Sequence, residues 1–167
     1  MESLGAVPLL KNLDNSLLYN AYLPIEFGVL LLITTIPERW VAGMLFVGLM
    51  VWVYDFYWLG SSGRLVVYFT IVAAVVLTGS YLQQLWYLTL EMDQGLFKDP
   101  RFLFYLSNVL YFGATAPLVA SVNYLNSANP HLAVKLWWVI LGFCVVRYAL
   151  VGMACLQGGR RTDAAKA

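Results

Sequence analysis

The segment that decides the fold is LVVYFTIVAAVVLTGSYLQQLWYLTL, residues 65–90, which contains no Asp, Glu, Lys or Arg. At a rise of ~1.5 Å per residue, a helix of this length exceeds the ~30 Å hydrocarbon core of a bilayer. An uncharged apolar run of this length is typical of a transmembrane helix. The other apolar segments of the chain are therefore candidate membrane spans as well.

Working outward, four further apolar segments cover residues 18–36, 40–59, 102–125 and 132–156. The stretches between the segments contain proline, glycine or charged residues, which commonly end helices. The first segment is the weakest candidate span, because it contains Asn20, Pro24 and Glu26. The sequence therefore predicts an all-α fold, a polytopic membrane helix bundle with five transmembrane helices, or four if residues 18–36 are re-entrant.

The composition supports a membrane protein and excludes several functions. The chain of 167 residues is 61% hydrophobic and 11% charged, whereas soluble domains are roughly 45–50% apolar and about 25% charged. One His and two Cys are too few for a multi-histidine metal site, a cysteine cluster or a pair of haem ligands. A net charge of +1 excludes nucleic-acid binding by phosphate neutralisation. We therefore expect no cofactor, no metal and no nucleic-acid partner.

The chain divides into three parts. Residues 18–156 are predicted to form the transmembrane bundle. Residues 1–17 form an N-terminal segment, for which a position along the membrane interface is one interpretation. Residues 157–167 form a basic C-terminal tail, in which Gly158 and Gly159 are expected to cap the last helix.

The positions of Lys and Arg predict the orientation of the bundle. With five spans, one side of the membrane holds Arg39, Lys98, Arg101, Arg160, Arg161 and Lys166, and the other side holds Lys11, Arg64 and Lys135. Because basic loops favour the cytoplasmic side, we expect a multi-pass protein with its C-terminus on the cytoplasmic-type side. The N-terminus lies opposite in the five-span arrangement and joins the C-terminus in the four-span arrangement.

Aromatic residues cluster near the expected span ends, at residues 52–58, 86–87 and 137–138. One interpretation is an interfacial belt, since Trp and Tyr prefer the depth of the lipid headgroups. The other is an aromatic pocket for a lipidic or cationic ligand.

Three charged side chains, Glu26, Asp55 and Arg147, fall within the expected spans. Each is costly there, by about 2.5–3.5 kcal/mol at mid-helix. Counting ~1.5 Å per residue places Glu26 and Arg147 at similar depth and Asp55 nearer the outer end. The structural interpretation is a Glu26–Arg147 ion pair, with Asp55 wetted at the interface. The functional interpretation is an acidic site that opens outward above Arg147.

Small and polar residues share helical stripes in the third, fourth and fifth spans. The third span carries a stripe at steps of three or four residues, made of Thr70, Ala74, Thr78, Tyr81 and Gln84. Val75, Val76 and Leu82 are expected to lie more toward lipid. Such stripes usually mark contacts between helices. The alternative is a hydrated lining, in which Gln83, Gln84 and Asn108 would reach the inner surface. Tyr81, Gln84 and Asn108 are therefore candidate ligand residues beside the three charges.

Two functions fit these features. The first is a non-catalytic integral membrane subunit of a larger assembly, with a structural or lipid-contacting role and with lipids and other membrane subunits as partners. The second is a small membrane protein that binds, transports or isomerises a lipidic substrate, with Glu26 and Asp55 as the catalytic acids if it is an enzyme. An enzyme would need one carboxylic acid with a raised pKa in a desolvated site.

Overall fold

A computed structural model describes residues 15–58, 66–91 and 95–164 of the chain, and these residues form an all-helical bundle without strands. The helices are α1 Asn15–Leu32, α2 Glu38–Tyr57, α3 Val67–Glu91, α4 Pro100–Ala128 and α5 Pro130–Ala164, with a short 3₁₀ turn at Leu96–Lys98 before α4. The predicted fold class, a helical membrane bundle, is confirmed. The expectation of an interfacial position for the N-terminal segment concerns residues that lie almost entirely outside the described part.

Within the described residues, four helices contain stretches long and apolar enough to cross a membrane: Glu38–Tyr57, Val67–Glu91, Pro100–Ser121 and His131–Gly158. The first helix differs, because its apolar part is the shorter Asn20–Leu32. Its 13 residues span ~20 Å at the usual helical rise, which is less than the hydrocarbon core. Of the two expected arrangements, five spans or four, the four-span arrangement fits the described helices. Residues 15–32 form α1, an unbroken shorter helix packed beside α2 and α3.

Helices that follow one another along the chain run in opposite directions, whereas α1 runs parallel to α3, because Asn20 lies beside Val66 and Leu30 lies beside Tyr81. α3 contacts α1, α2 and α4, and α5 packs along α4. The 3₁₀ turn lies at the same end as the last turns of α5, where the Gln157 amide donates to the Phe97 carbonyl at 3.4 Å. We call this end, which also holds the α1–α2 connection, the C-terminal end of the bundle. The side of the membrane that it faces stays a prediction from the Lys and Arg counts.

The stripe predicted on α3 faces the protein. Tyr81 is fully buried and Gln84 is 8% exposed, whereas Val75 and Leu82 are more than half exposed. Val76 is half-buried, so it lies at the edge of the lipid-facing side. Other large buried side chains on the same face of α3, such as Phe69 and Leu77, belong to the same core.

The helix α5 packs on α4 with a seven-residue period. The residues of α5 that are buried, within the part whose side chains are described, are Ala133, Ile140, Arg147 and Ala154. A strict seven-residue repeat keeps one seam of a helix against its neighbour, as in left-handed helix pairs. The seam has small residues at both ends and the charged Arg147 near its middle.

The connections at the two ends of α5 are different. Asn129 alone separates α4 from α5, and its side-chain oxygen accepts a hydrogen bond from the Leu132 amide at 3.2 Å. At the other end the helix continues through Gly158 and Gly159, so the expectation that this pair caps the helix is wrong. Glycine permits the left-handed turn that ends many helices, but it also adopts helical backbone angles, at a cost of about 1 kcal/mol.

We predict that Gly48→Ala destabilises the bundle. A Cβ atom at Gly48 would lie 2.6 Å from Phe27 Cε1, and the Phe27 ring is buried edge-on against Phe69. Overpacking of this kind costs about 1–3 kcal/mol, which thermal unfolding in detergent would measure. The matched control is Gly43→Ala on the same helix, where a Cβ meets no atom within 4 Å. Equal stability of the two variants would contradict the close packing of Phe27 on Gly48.

Candidate functional site

The structure brings Glu26 of α1 and Arg147 of α5 into an ion pair. Arg147 Nη1 lies 2.7 Å from Glu26 Oε1, and the two side chains are 10% and 14% exposed. Their contact agrees with the pairing expected from helix depth. Because each charge neutralises the other, both can be held inside the bundle at a much lower cost than either alone.

Aromatic rings complete the surroundings of Arg147. The guanidinium carbon lies 4.7 Å from the ring centre of Tyr111 and 5.0 Å from that of Phe112, both on α4. A third ring, Tyr148 on α5, is 6.0 Å away. The faces of aromatic rings carry partial negative charge and attract a cation within about 6 Å. The two rings of α4 therefore stabilise the positive charge of Arg147, which α5 places beside Glu26.

A small cavity borders Glu26 between α1, α3, α4 and α5. Its volume is about 30 Å³, and its polar lining includes Thr70, Thr115 and Tyr111. A cavity needs about 10–15 Å³ of this kind of volume to hold one water. The space beside the Glu26 carboxylate is therefore the size of one or two waters and much smaller than a lipidic substrate.

Asp55 has a different role from the one expected. It is 4% exposed, so the expectation of a carboxylate wetted at the interface is wrong. Its Oδ2 accepts a hydrogen bond from the backbone amide of Phe69, in the first turn of α3, at 3.1 Å. A carboxylate at a helix N-terminus satisfies an amide without an intrahelical partner and interacts favourably with the helix dipole. Asp55 thus caps α3 from the neighbouring helix.

Asn20 makes the matching contact from α1. Its side chain is fully buried, and its Oδ1 accepts a hydrogen bond from the Val66 amide at 3.1 Å, just before α3 begins. The Asn20 carbonyl accepts another from the Trp52 indole at 2.9 Å. Sequence reasoning treated Asn20 as a weakness of the first segment and missed this role, because its partners lie 32 and 46 positions away.

The other candidate residues lie toward the C-terminal end. The Tyr81 hydroxyl donates to the Leu30 carbonyl at 2.8 Å, and the Gln84 side-chain oxygen accepts from the Thr35 hydroxyl. These bonds fasten α3 to the end of α1 and to the α1–α2 connection. Tyr81 and Gln84 therefore have clear structural roles.

Asn108 is the candidate with an unfilled hydrogen-bonding position. It is fully buried, and its amide nitrogen donates to the Phe104 carbonyl at 2.9 Å. Its oxygen has no partner among the described residues, and neither does the buried Thr78 hydroxyl. A Cβ atom at Gly113 of α4 would lie 3.7 Å from the Thr78 methyl, so Thr78 faces α4.

A larger cleft lies beside α3 and extends to the C-terminal end. It has a volume of about 850 Å³ and is bounded by α3 from Val75 to Glu91, by residues between 35 and 44, and by Arg101 and Tyr105 of α4. We call it the α3 groove. Of the candidate ligand residues named from the sequence, Gln84 lines this groove. The sequence analysis noted Gln83 but missed Glu91 and Arg101. These two residues extend the polar lining of the groove from α3 to α4, which are joined by a loop.

Comparisons with known proteins were made at the level of family, sequence and structure, and no protein family, curated protein or solved structure matches this chain. Among the described residues, no group of three or more His, Cys, Asp or Glu side chains could hold a metal ion. Function must therefore be argued from the ion pair, the capping contacts, the exposed faces and the groove.

We expect Glu26→Gln and Arg147→Gln each to destabilise the fold strongly, because each leaves its partner as an unpaired buried charge. Losses of this kind are about 3–5 kcal/mol. The double variant should recover part of the loss, which a double-mutant cycle in detergent unfolding would show as a coupling energy. Lys135→Gln, which removes an exposed charge from the same helix, serves as the control. Strictly additive single effects would contradict the ion pair.

We also expect Asp55→Ala to cost about 1–3 kcal/mol of stability, because the buried Phe69 amide loses its acceptor. Asp55→Asn keeps an oxygen in place and should cost less. Both variants would be compared by thermal unfolding. A loss for Asp55→Asn as large as that for Asp55→Ala would argue against the capping role of the carboxylate oxygen.

Proposed function

We propose that this chain is a non-catalytic integral membrane subunit whose α5 helix packs against a transmembrane helix of a different protein. The observation that carries the proposal is the outward face of α5. This face has its own seam of exposed residues, at alternating steps of three and four: Gly142, Val145, Ala149, Gly152 and Leu156.

The geometry of this seam suits a second helix. At 3.6 residues per turn it lies on the opposite side of α5 from Arg147 and the seam against α4. Three of its five residues are Gly or Ala, and a Cβ atom at Gly142 or Gly152 would meet no atom within 4 Å. Small residues let helix backbones approach closely inside a membrane, where packing drives association. A helix face that contacts only lipid gains no packing energy from small residues arranged in this way.

The intramembrane acids support a non-catalytic role. Glu26 is bonded to Arg147, and Asp55 caps α3. The cavity beside Glu26 has room for one or two waters. The second hypothesis, chemistry or transport on a lipidic substrate through these two acids, would need both carboxylates to face a space large enough for that substrate. The contacts of both acids favour the subunit role.

Extraction of the tagged chain from its native membrane in a mild detergent tests the proposal. We expect a particle larger than the 18.7 kDa chain, with a second polypeptide at fixed stoichiometry. Gly152→Leu places a bulky side chain in the seam and should weaken the association by about tenfold or more, the equivalent of ~1.4 kcal/mol. Native mass spectrometry of the purified particle measures both results.

The control is Gly43→Leu on α2, which adds the same side chain at another position where a Cβ meets no atom within 4 Å. It should leave the particle intact. A wild-type chain that is extracted alone, or only as copies of itself, would overturn the proposal. Equal dissociation by both variants would show that the seam is not the contact surface.

A further inference from the structure

The α3 groove is long enough to hold an elongated molecule. Its floor follows α3 from Val75 to Glu91, which corresponds to ~24 Å at the helical rise. One leaflet of the hydrocarbon core is about half of ~30 Å. The groove therefore extends from the middle of the bundle to its C-terminal end, and its volume of about 850 Å³ is within the usual range for ligand sites.

The two ends of the groove differ in polarity. The inner end is lined by Met44, Val75, Val76 and Gly79. The outer end carries Gln83, Glu91 and Arg101. A ligand that fits both ends has an apolar part directed toward the middle of the bundle and a polar head at the C-terminal end. That distribution is the one a membrane lipid has in its own leaflet.

The charged residues at the outer end of the groove indicate which kind of lipid headgroup it would bind. Glu91 and Arg101 are the charged residues among the described lining. Arg101 is held by the buried Asp99, whose two oxygens each lie 3.3 Å from guanidinium nitrogens. A guanidinium has five N–H donors, so donors remain for a phosphate oxygen. The lining therefore carries one negative charge, on Glu91, and one positive charge, on Arg101.

A lining with one oriented guanidinium and one carboxylate favours a headgroup that carries both a negative and a positive charge. The phosphate can bind Arg101, and an ammonium group can bind Glu91. The exposed rings of Trp40 and Tyr87 line the same part of the groove, and aromatic rings attract cations. A lipid with a net negative headgroup would lack the group that Glu91 attracts.

We propose that the α3 groove binds one zwitterionic glycerophospholipid, with its phosphate at Arg101, its ammonium group at Glu91 and an acyl chain along Gly79. The proposal concerns α2, α3 and α4, and it is independent of the contact proposed for α5.

Lipid retention tests the proposal on the purified, delipidated chain. The chain would be incubated with equal amounts of phosphatidylcholine, phosphatidylethanolamine and phosphatidylglycerol, and the bound lipids counted by native mass spectrometry. We expect one zwitterionic lipid per chain, preferred over phosphatidylglycerol by at least about fivefold. A preference for phosphatidylglycerol would overturn the charge argument.

Matched variants locate the site. Gly79→Leu fills the groove at a position where a Cβ meets no atom within 4 Å, and it should abolish retention. Gly43→Leu, which adds the same side chain outside the groove lining, should retain the lipid. Retention by both variants would show that the groove is not the site.

Two charge variants separate the headgroup contacts. Glu91→Gln should remove the preference for zwitterionic lipids, whereas Arg101→Gln should weaken the binding of all three lipids. Glu38→Gln removes an exposed acid at the same end of the bundle but outside the groove lining, and it should leave the preference unchanged. The same loss of preference in Glu38→Gln and Glu91→Gln would mean that general surface charge, not the groove, sets it.

Discussion

The burial of the Arg147 guanidinium inside the bundle is the constraint on which the rest of the structure depends. A lone arginine at mid-membrane is energetically unfavourable. The fold must therefore place an opposite charge beside the guanidinium and cover the guanidinium with other side chains. Glu26 provides the counter-charge at 2.7 Å, and the α4 rings of Tyr111 and Phe112 cover the guanidinium. The helix α5 packs along α4, and Arg147 connects it to α1 through the ion pair with Glu26.

The helix α1 shows how polar residues can hold a short helix in an apolar bundle. Asn20 anchors its first half to the start of α3, and Glu26 binds α5 near its middle. The Leu30 carbonyl accepts the Tyr81 hydroxyl at its far end. Asn20 and Glu26, two of the residues that make α1 a poor transmembrane segment by hydropathy, are therefore those that attach it to three other helices. Buried polar groups of this kind are stable when each has its partner.

Much of the fold could be predicted from the sequence because its signals are local. Apolar length defines the four spanning helices, and the spacing of Tyr81 and Gln84 identifies the inward face of α3. The Glu26–Arg147 pair was also within reach, because depth along a helix follows from residue counting and two opposite charges at one depth attract each other.

The remaining features depend on how the helices sit beside one another, which residue counting does not provide. Asp55 was expected to be an interfacial acid. Its partner is the backbone amide of Phe69 on another helix, and a backbone amide cannot be recognised as a partner from the sequence pattern. The α3 groove exists because α2 and α4 both flank α3 without closing over it. Its charged residues, Glu91 and Arg101, lie on either side of a loop and share a site only after folding.

The connection between α4 and α5 by Asn129 alone has a consequence for the biosynthesis of the protein. Because one residue links the two helices, we expect them to insert into the bilayer together as a helical hairpin. In such a hairpin Arg147 can already lie beside the rings of Tyr111 and Phe112, which would lower the cost of transferring its charge before it pairs with Glu26. The tight turn at Asn129 thus allows a sequence to carry an arginine into the membrane in its last helix.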